Sequence, residues 1–254
     1  MHQSSHNEST DEPDDLAFLA SYDASRYPRP SVTVDVVLLT VRDGVLTVLL
    51  GKRQAQPAID RWALIGGFVG IDEALDDAAV RVLRDKAGLD HVFIEQLYTF
   101  GAPGRDPRTR VISVAYYALV DQVRLVKAAS AFENERLCLA RLELADGRGT
   151  AEAFGADNER LQLAFDHDQI LATAVRRIRG KLDYAPIGFE LLPGTFSLRE
   201  LRLVHESILA RPLNKDSFRR TILDRGHIVP TGQHAVGLGH RPPELYAFRG
   251  GATR

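Results

Sequence analysis

The sequence predicts an α+β fold in two parts: a larger domain mixing strands and helices, then a smaller basic domain of short helices closed by a β-hairpin. Three observations predict it. Aliphatic, β-branched runs alternate with helix-spaced apolar stripes through the first two thirds of the chain. The charge balance changes sign near Thr173. The last third carries helix-capping signals followed by a strand, loop, strand pattern. A length of 254 residues suits two domains, each large enough to bury a core. The expected layout is a disordered acidic tail over 1–25, a first domain over 26–165, a linking helix over 166–185 and a second domain over 186–254.

The tail rests on the polar, acidic run Met1 to Asp15, which also lacks the basic start and apolar stretch of a signal peptide. Ser31 to Thr40 and Val45 to Gly51 are strand runs separated by Arg42-Asp43-Gly44, and Asp-Gly is a strong hairpin signal. Asp76 to Ala87 has helical spacing through Ala79, Val80 and Leu83, and Val111 to Val120 is a strand rich in β-branched and aromatic residues. Asp166-His-Asp-Gln169 opens a helix whose stripe runs Ile170, Leu171, Ala174, Val175, Ile178 and Leu182, ending before Pro186.

Ser197-Leu-Arg-Glu200 is a capping box, after which Leu201, Val204 and Ile208 give the next helix an apolar face through Leu209. Asn214 caps a second short helix to Arg225 in which Phe218 and Ile222 point inward. Lys215 and Arg219, four residues apart, join Ser217 and Arg220 on a basic, hydrogen-bonding face. Gly226 to Ala235 and Leu238 to Phe248 then read as two strands around an exposed loop. Helix, turn, basic helix, β-hairpin is the order of a winged helix-turn-helix. Its candidate DNA contacts are Arg199, Lys215, Ser217, Arg219 and Arg220, with Thr231, His234 and Arg241 on the wing.

Composition excludes several function classes. Val36 to Val41, the longest aliphatic run, is far too short to cross a bilayer, and a cytoplasmic protein is expected. Cys138 is the only cysteine, which rules out an internal disulfide and reads as a small core residue. Residues 1–172 carry a net charge of −9 and residues 173–254 carry +7, a balance that suits a polyanionic partner or a solvated basic face. His227, His234 and His240 have no acid or cysteine companions at metal-ligand spacing and read as polar wing residues; no metal site is expected.

Gly67, five residues, Glu73, seven residues, Arg81, then Gly88-Leu89 reproduce the spacing of the Nudix box, and this stretch resembles that family of nucleoside-diphosphate hydrolases. The box reads Arg-Glu-U-x-Glu-Glu-x-Gly-U, with U aliphatic, and its acids share one helix face, where they hold Mg²⁺ against a pyrophosphate. Here those positions are Val82, Asp85 and Lys86. Val82 offers no oxygen and Lys86 places an ammonium where the metal would sit, so efficient metal-dependent hydrolysis is not expected. Glu73 and Arg81 keep what resembles the family's orienting ion pair.

The neighbouring segments point to a nucleotide pocket. Gly51-Lys-Arg53 and Arg61-Trp62-Ala-Leu-Ile-Gly-Gly-Phe-Val69 resemble those preceding the box in ADP-ribose-acting Nudix proteins. The expected effector-binding residues are Arg53, Trp62, Gly66, Gly67, Phe68, Arg105, Arg108 and Arg110; the glycines let backbone amides approach a phosphate and the guanidiniums fit its oxygens. Trp62 also reads as an ordinary core aromatic.

Taken together with Leu163 to Ile170, Leu191-Leu-Pro193 and Asn214 to Arg220, residues 30–250 resemble the Nudix-related transcriptional regulator family of bacteria. The resemblance implies a Nudix α/β/α sandwich with a mixed sheet followed by the winged helix-turn-helix. It further implies a homodimer on a pseudo-palindromic operator that represses NAD biosynthesis or salvage genes, requires no cofactor, and is released by ADP-ribose or a related nucleotide. An active Mg²⁺-dependent ADP-ribose pyrophosphatase with an accessory DNA-binding domain, and a regulator of a sugar-utilisation operon, remain as alternatives.

Overall fold

The structure, a computed structural model, describes residues 12–131, 137–145, 147, 149–182, 184–235 and 242–250. It has two compact units, 1–30 and 31–254. In the first, α1 spans Glu12–Ser21 and a 3₁₀ turn spans Ala24–Arg26, where Asp23 accepts a hydrogen bond from the Ser25 amide at 2.9 Å. The expected disordered tail is therefore helical in part: Leu16 to Ala20 are apolar helix formers that a composition weighted on Met1 to Asp15 overlooks.

The second unit is built on a mixed sheet. Strands β1 (Ser31–Arg42), β2 (Val45–Lys52), β3 (Trp62–Ala63), β4 (Ile65–Phe68), β5 (Phe93–Phe100), β6 (Val111–Leu119), β7 (Leu137–Leu144) and β8 (Ala151–Phe154) lie in the order β5-β6-β1-β2-β7-β8, with β3 on β2 and β4 on β1. β1 pairs with β6 in parallel and with β2 and β4 in antiparallel fashion. The β1–β2 turn places Asp43 at φ 52° and Gly44 at φ 77°, the two positive values that a type I′ hairpin requires and an Asp-Gly pair supplies.

Helices cover both faces. On one, α2 (Leu75–Ala87) and α3 (Gln122–Ala131) close a core of Val34, Val36, Leu38, Val82, Leu83, Tyr116 and Leu125. Ala78, Ala79, Val82 and Leu83 face inward from α2, whereas Val80, expected on the same stripe, is 44% exposed. On the other face α4 (His167–Lys181) lies against Val37, Leu39, Val48 and Leu50 through Ile170, Leu171, Val175 and Ile178. The helix expected only to link two domains is thus the outer layer of the sandwich.

After a 3₁₀ turn, Ile187–Leu191, the chain forms β9 (Phe196–Ser197), α5 (Leu198–Leu209), α6 (Lys215–Asp224), β10 (Ile228–His234) and β11 (Glu244–Phe248), with sheet order β10-β11-β9. The capping box is complete, Ser197 accepting from the Glu200 amide and the Glu200 carboxylate accepting from Ser197 N–H at 2.7 Å. Asn214 accepts from the Asp216 and Ser217 amides at 3.1 and 3.0 Å and so starts α6. This module's own core is small, formed by Phe196, Leu201, Ile222, Ile228 and Tyr246. Its first helix contributes Val204 and Ile208 to the α4 side of the sandwich, so the two modules do not bury separate cores.

Candidate functional site

A cavity of about 520 Å³ opens between β1, the β2–β3 connection, β4, the end of α2 and the 105–108 loop. Its floor is Asp35, a carboxylate in the middle of an aliphatic strand and 8% exposed. A buried carboxylate needs partners, and this one has them. Ser113 donates its hydroxyl to Asp35 Oδ2 at 2.5 Å, Arg105 stands 3.5 Å from the same oxygen, and His167 Nε2 lies 3.8 Å from Oδ1. His167 Nδ1 accepts the Leu64 amide at 2.9 Å, which leaves its ring proton on Nε2, toward Asp35. Burial pushes His167 below the ordinary histidine value, against the pull of Asp35 and Asp166, so the ring is neutral.

Arg105 is expected to hold a ligand's phosphates, but its guanidinium is closed onto protein carboxylates. It donates to Asp166 through two hydrogen bonds, 2.9 and 2.7 Å long, and is 5% exposed. Asp166 precedes α4 and makes no capping bond there; its carboxylate is taken up by Arg105. Arg108 is different. It pairs with Asp106 at 2.7 Å, lies 5.6 Å from the Phe68 ring and keeps 43% of its side chain exposed. Arg53 donates to the carbonyls of Pro57 and Ala55 and packs its guanidinium 4.8 Å from the Phe165 ring. Burial and then Arg108 press the Arg53 pKa downward, against the pull of Asp106 and Asp35.

Gly66 and Gly67 carry strand β4 along the cavity. A Cβ on Gly66 would stand 2.2 Å from Asp35 Oδ1 and 2.7 Å from the Val34 carbonyl, so only glycine fits. Past this strand the Glu73–Arg81 pair is intact, with contacts of 2.5 and 2.8 Å; Arg81 also donates to Phe68 O, and the Gly70 amide donates to Glu73. Arg81, with the Gly70 amide, holds the Glu73 carboxyl down at about 2.

The helix positions that resemble a magnesium cluster do not fit the ion. Val82 is fully buried in the core, Asp85 meets Arg84 at 3.2 Å, and Lys86 Nζ donates to the Gly66 carbonyl. Among the described residues, which include His227 and His234 but not His240, no group of three or more His, Cys, Asp or Glu is placed to hold a metal ion.

Arg53, Gly66, Gly67, Phe68, Arg105, Arg108, Asp85 and Lys86 line the cavity. Trp62 and Arg110, expected there, do not. Trp62 is half-buried against the α4-side core, tied by its amide to Gln162 O and by its carbonyl to the Ala164 amide. The exposed Arg110 follows the loop, with its carbonyl accepting from Ser31 N–H at the start of the β1–β6 pairing. In the second module Arg199, Lys215, Ser217, Arg219, Arg220 and His234 are exposed. Thr231 is half-buried, and its hydroxyl donates to Leu245 O at 2.9 Å across the hairpin, which makes it a brace. Arg241 lies outside the described residues.

With this geometry in view, residues 29–154 match the NUDIX domain and residues 188–248 match the NrtR DNA-binding winged helix domain. Over 91% of its length the chain is 35% identical to the ADPR responsive transcriptional repressor NtrR of Acinetobacter baylyi, covering 87% of that protein. The chain belongs to the NrtR family. The crystal structure of Shewanella oneidensis NrtR complexed with a 27mer DNA superposes with a TM-score of 0.72 at 32% identity, covering 86% of this chain and 93% of that one. An ADP-ribose pyrophosphatase of Methanocaldococcus jannaschii is 31% identical over 59% of this chain and 76% of its own length.

Membership of the NrtR family accounts for both modules, and Asp35, Asp106, Phe165, Asp166 and His167 join the site as residues sequence reasoning missed. Asp35 carries a legible signal, a lone carboxylate inside Ser31 to Thr40. Asp166 and His167 carry none, because a helix start is where polar residues are ordinarily found.

Proposed function

We propose that this chain is a transcriptional repressor released by ADP-ribose or a closely related nucleotide, acting in the cytoplasm as a homodimer on a pseudo-palindromic operator of NAD biosynthesis or salvage genes. It requires no cofactor and performs no efficient hydrolysis, because Val82 and Lys86 take the places of two of the three acids that hold the Nudix metal and leave Asp85 alone there. The observation that carries the reading is α4, which joins pocket to DNA reader. At its start His167 lines the pocket and Asp166 holds the lining residue Arg105; near its end Arg179 donates to Ile208 O of α5 at 2.6 Å. Leu182 O, just past the helix, accepts from Arg225 at the end of α6 at 3.2 Å. Fifteen residues of helix span roughly 22 Å, so a ligand that shifts the wall moves both helices of the reader.

Release requires ADP-ribose to bind the DNA-incompetent arrangement more tightly, and DNA must then weaken ADP-ribose binding by the same factor. A gel shift on DNA upstream of the neighbouring genes, at fixed salt, tests this. The expected result is a retained band that ADP-ribose releases; a band indifferent to ADP-ribose refutes the effector. The Glu73–Arg81 pair and the pyrophosphatase relative favour one other reading, an active hydrolase. Turnover of ADP-ribose with Mg²⁺ on the order of 1 per second or faster would establish it.

A further inference from the structure

A diphosphate entering a half-buried pocket must have its charge met, and in metal-dependent sites a divalent cation does much of this. Here the cations come from the chain itself. Of those lining the cavity, Arg105 and Arg108 are paired with carboxylates, whereas Lys86, Arg53 and Lys52 have none within ion-pair distance among the described residues. Lys86 rises from the last turn of α2. An ammonium has three donors; one goes to Gly66 O, and the group remains open to the cavity with capacity for ligand oxygens. Behind it Val82 closes the helix face with carbon. Burial, and then Arg81 and Arg53, press the Lys86 pKa below the ordinary lysine value while Asp35 pulls it back. A bound anion would relieve that crowding of positive charge.

We infer that Lys86 stands in for the divalent cation, so that the pocket holds a diphosphate on a fixed ammonium and needs no metal. The inference rests on the reading of this cavity as an ADP-ribose site and names the group that makes binding metal-free. The sequence position supports it: the residue occupies the last acidic place of the box, on the helix face that elsewhere points at the metal. The lysine therefore replaces a ligand-plus-ion pair by one ammonium, tethered to Gly66 O on strand β4 beside the cavity.

Calorimetric titration of the full-length chain with ADP-ribose, in excess EDTA and in excess magnesium, provides the test. The expected affinities in the two buffers agree within about twofold, and Lys86→Met lowers both by about tenfold or more, the loss of a charge-assisted hydrogen bond. Because Lys86 holds no carboxylate among the described residues and makes a single hydrogen bond, to Gly66 O, the ligand-free melting temperature of the variant should stay close to wild type; Lys86→Gln replaces it if it does not. Binding by wild type only in magnesium overturns the inference and leaves the effector reading standing. Binding in neither buffer overturns both. Affinity unchanged in Lys86→Met overturns the role of the lysine alone.

Discussion

Arg105 separates a phosphate-binding arginine from a structural one, and Arg105→Met decides between them. Its guanidinium is 5% exposed and its partners Asp166 and Asp35 are 13% and 11% exposed, so the group sits among buried charges. Removing one partner of a buried pair costs about 3–5 kcal/mol, since the orphaned carboxylates lose their counter-charge in a poorly solvated place. For a chain near this size roughly 2–4 °C of melting temperature accompanies each kcal/mol, so Arg105→Met should melt about 10 °C below wild type. Asp166→Leu removes the main orphan, and the double variant should recover part of the loss, giving a coupling energy of about 1–3 kcal/mol. Thermal unfolding of the two single variants and the double measures this directly. Arg105→Met melting within about 2 °C of wild type, while binding ADP-ribose tenfold more weakly or worse, would refute the assignment of this arginine to the pocket wall.

Arg108→Ala is the intermediate case: Arg108 is 43% exposed but its partner Asp106 only 5%, so the variant should lose stability, though less than Arg105→Met, while ADP-ribose affinity, read by calorimetry, falls about tenfold. Gly66→Ala should fold poorly because its methyl meets Asp35 Oδ1 and Val34 O, whereas Gly67→Ala, whose nearest neighbour is a Val82 methyl at 3.1 Å, should lose far less in soluble yield and melting temperature. Glu73 has a folded value near 2, below its unfolded value, so its stabilisation is present above the ordinary glutamate range and is lost as pH falls toward about 2; carboxyl NMR titration should show this, with a rise toward the ordinary glutamate value in Arg81→Met, short of it while the Gly70 amide still donates. Lys215→Ala or Arg219→Ala should weaken operator binding by roughly 1–3 kcal/mol if the side chain reads a base edge, whereas Thr231→Ala, removing a hairpin brace, should lower stability more than DNA affinity.

What could be read from the sequence depended on whether the signal was local. The Asp43-Gly44 hairpin, the Ser197 capping box and the Asn214 cap are fixed by residues within a few positions of one another, and each appears at its expected place. The box spacing likewise located α2, since one helix carries most of it. The pocket wall is non-local: Asp35, Arg105 and His167 come from β1, a loop and α4, and no periodicity links them. Three alternating arginines in a loop read as three equivalent phosphate ligands. Only the fold reveals that Arg105 is buried against two carboxylates, Arg108 is half exposed and Arg110 lies away from the cavity.

The same distinction explains why α4 was read as a connector. Its stripe, Ile170, Leu171, Val175 and Ile178, says that one face is buried but not against what. The structure packs it on the sheet and lets α5 add Val204 and Ile208 to that cluster, while Ser207 donates to Gly44 O on the β1–β2 turn at 2.6 Å. A reader with its own sizeable core could swing freely on a linker and would sense a ligand poorly. Among the described residues this one has an apolar cluster of five buried side chains of its own and lends Val204 and Ile208 to the sandwich. A change at the pocket end of α4 therefore meets no slack before the DNA-reading helices. Arg179→Met, which cuts the bond to Ile208 O, should leave ADP-ribose affinity nearly intact and shrink the ratio of operator affinities measured without and with ADP-ribose. An unchanged ratio would mean that coupling runs through the shared core rather than through this bond.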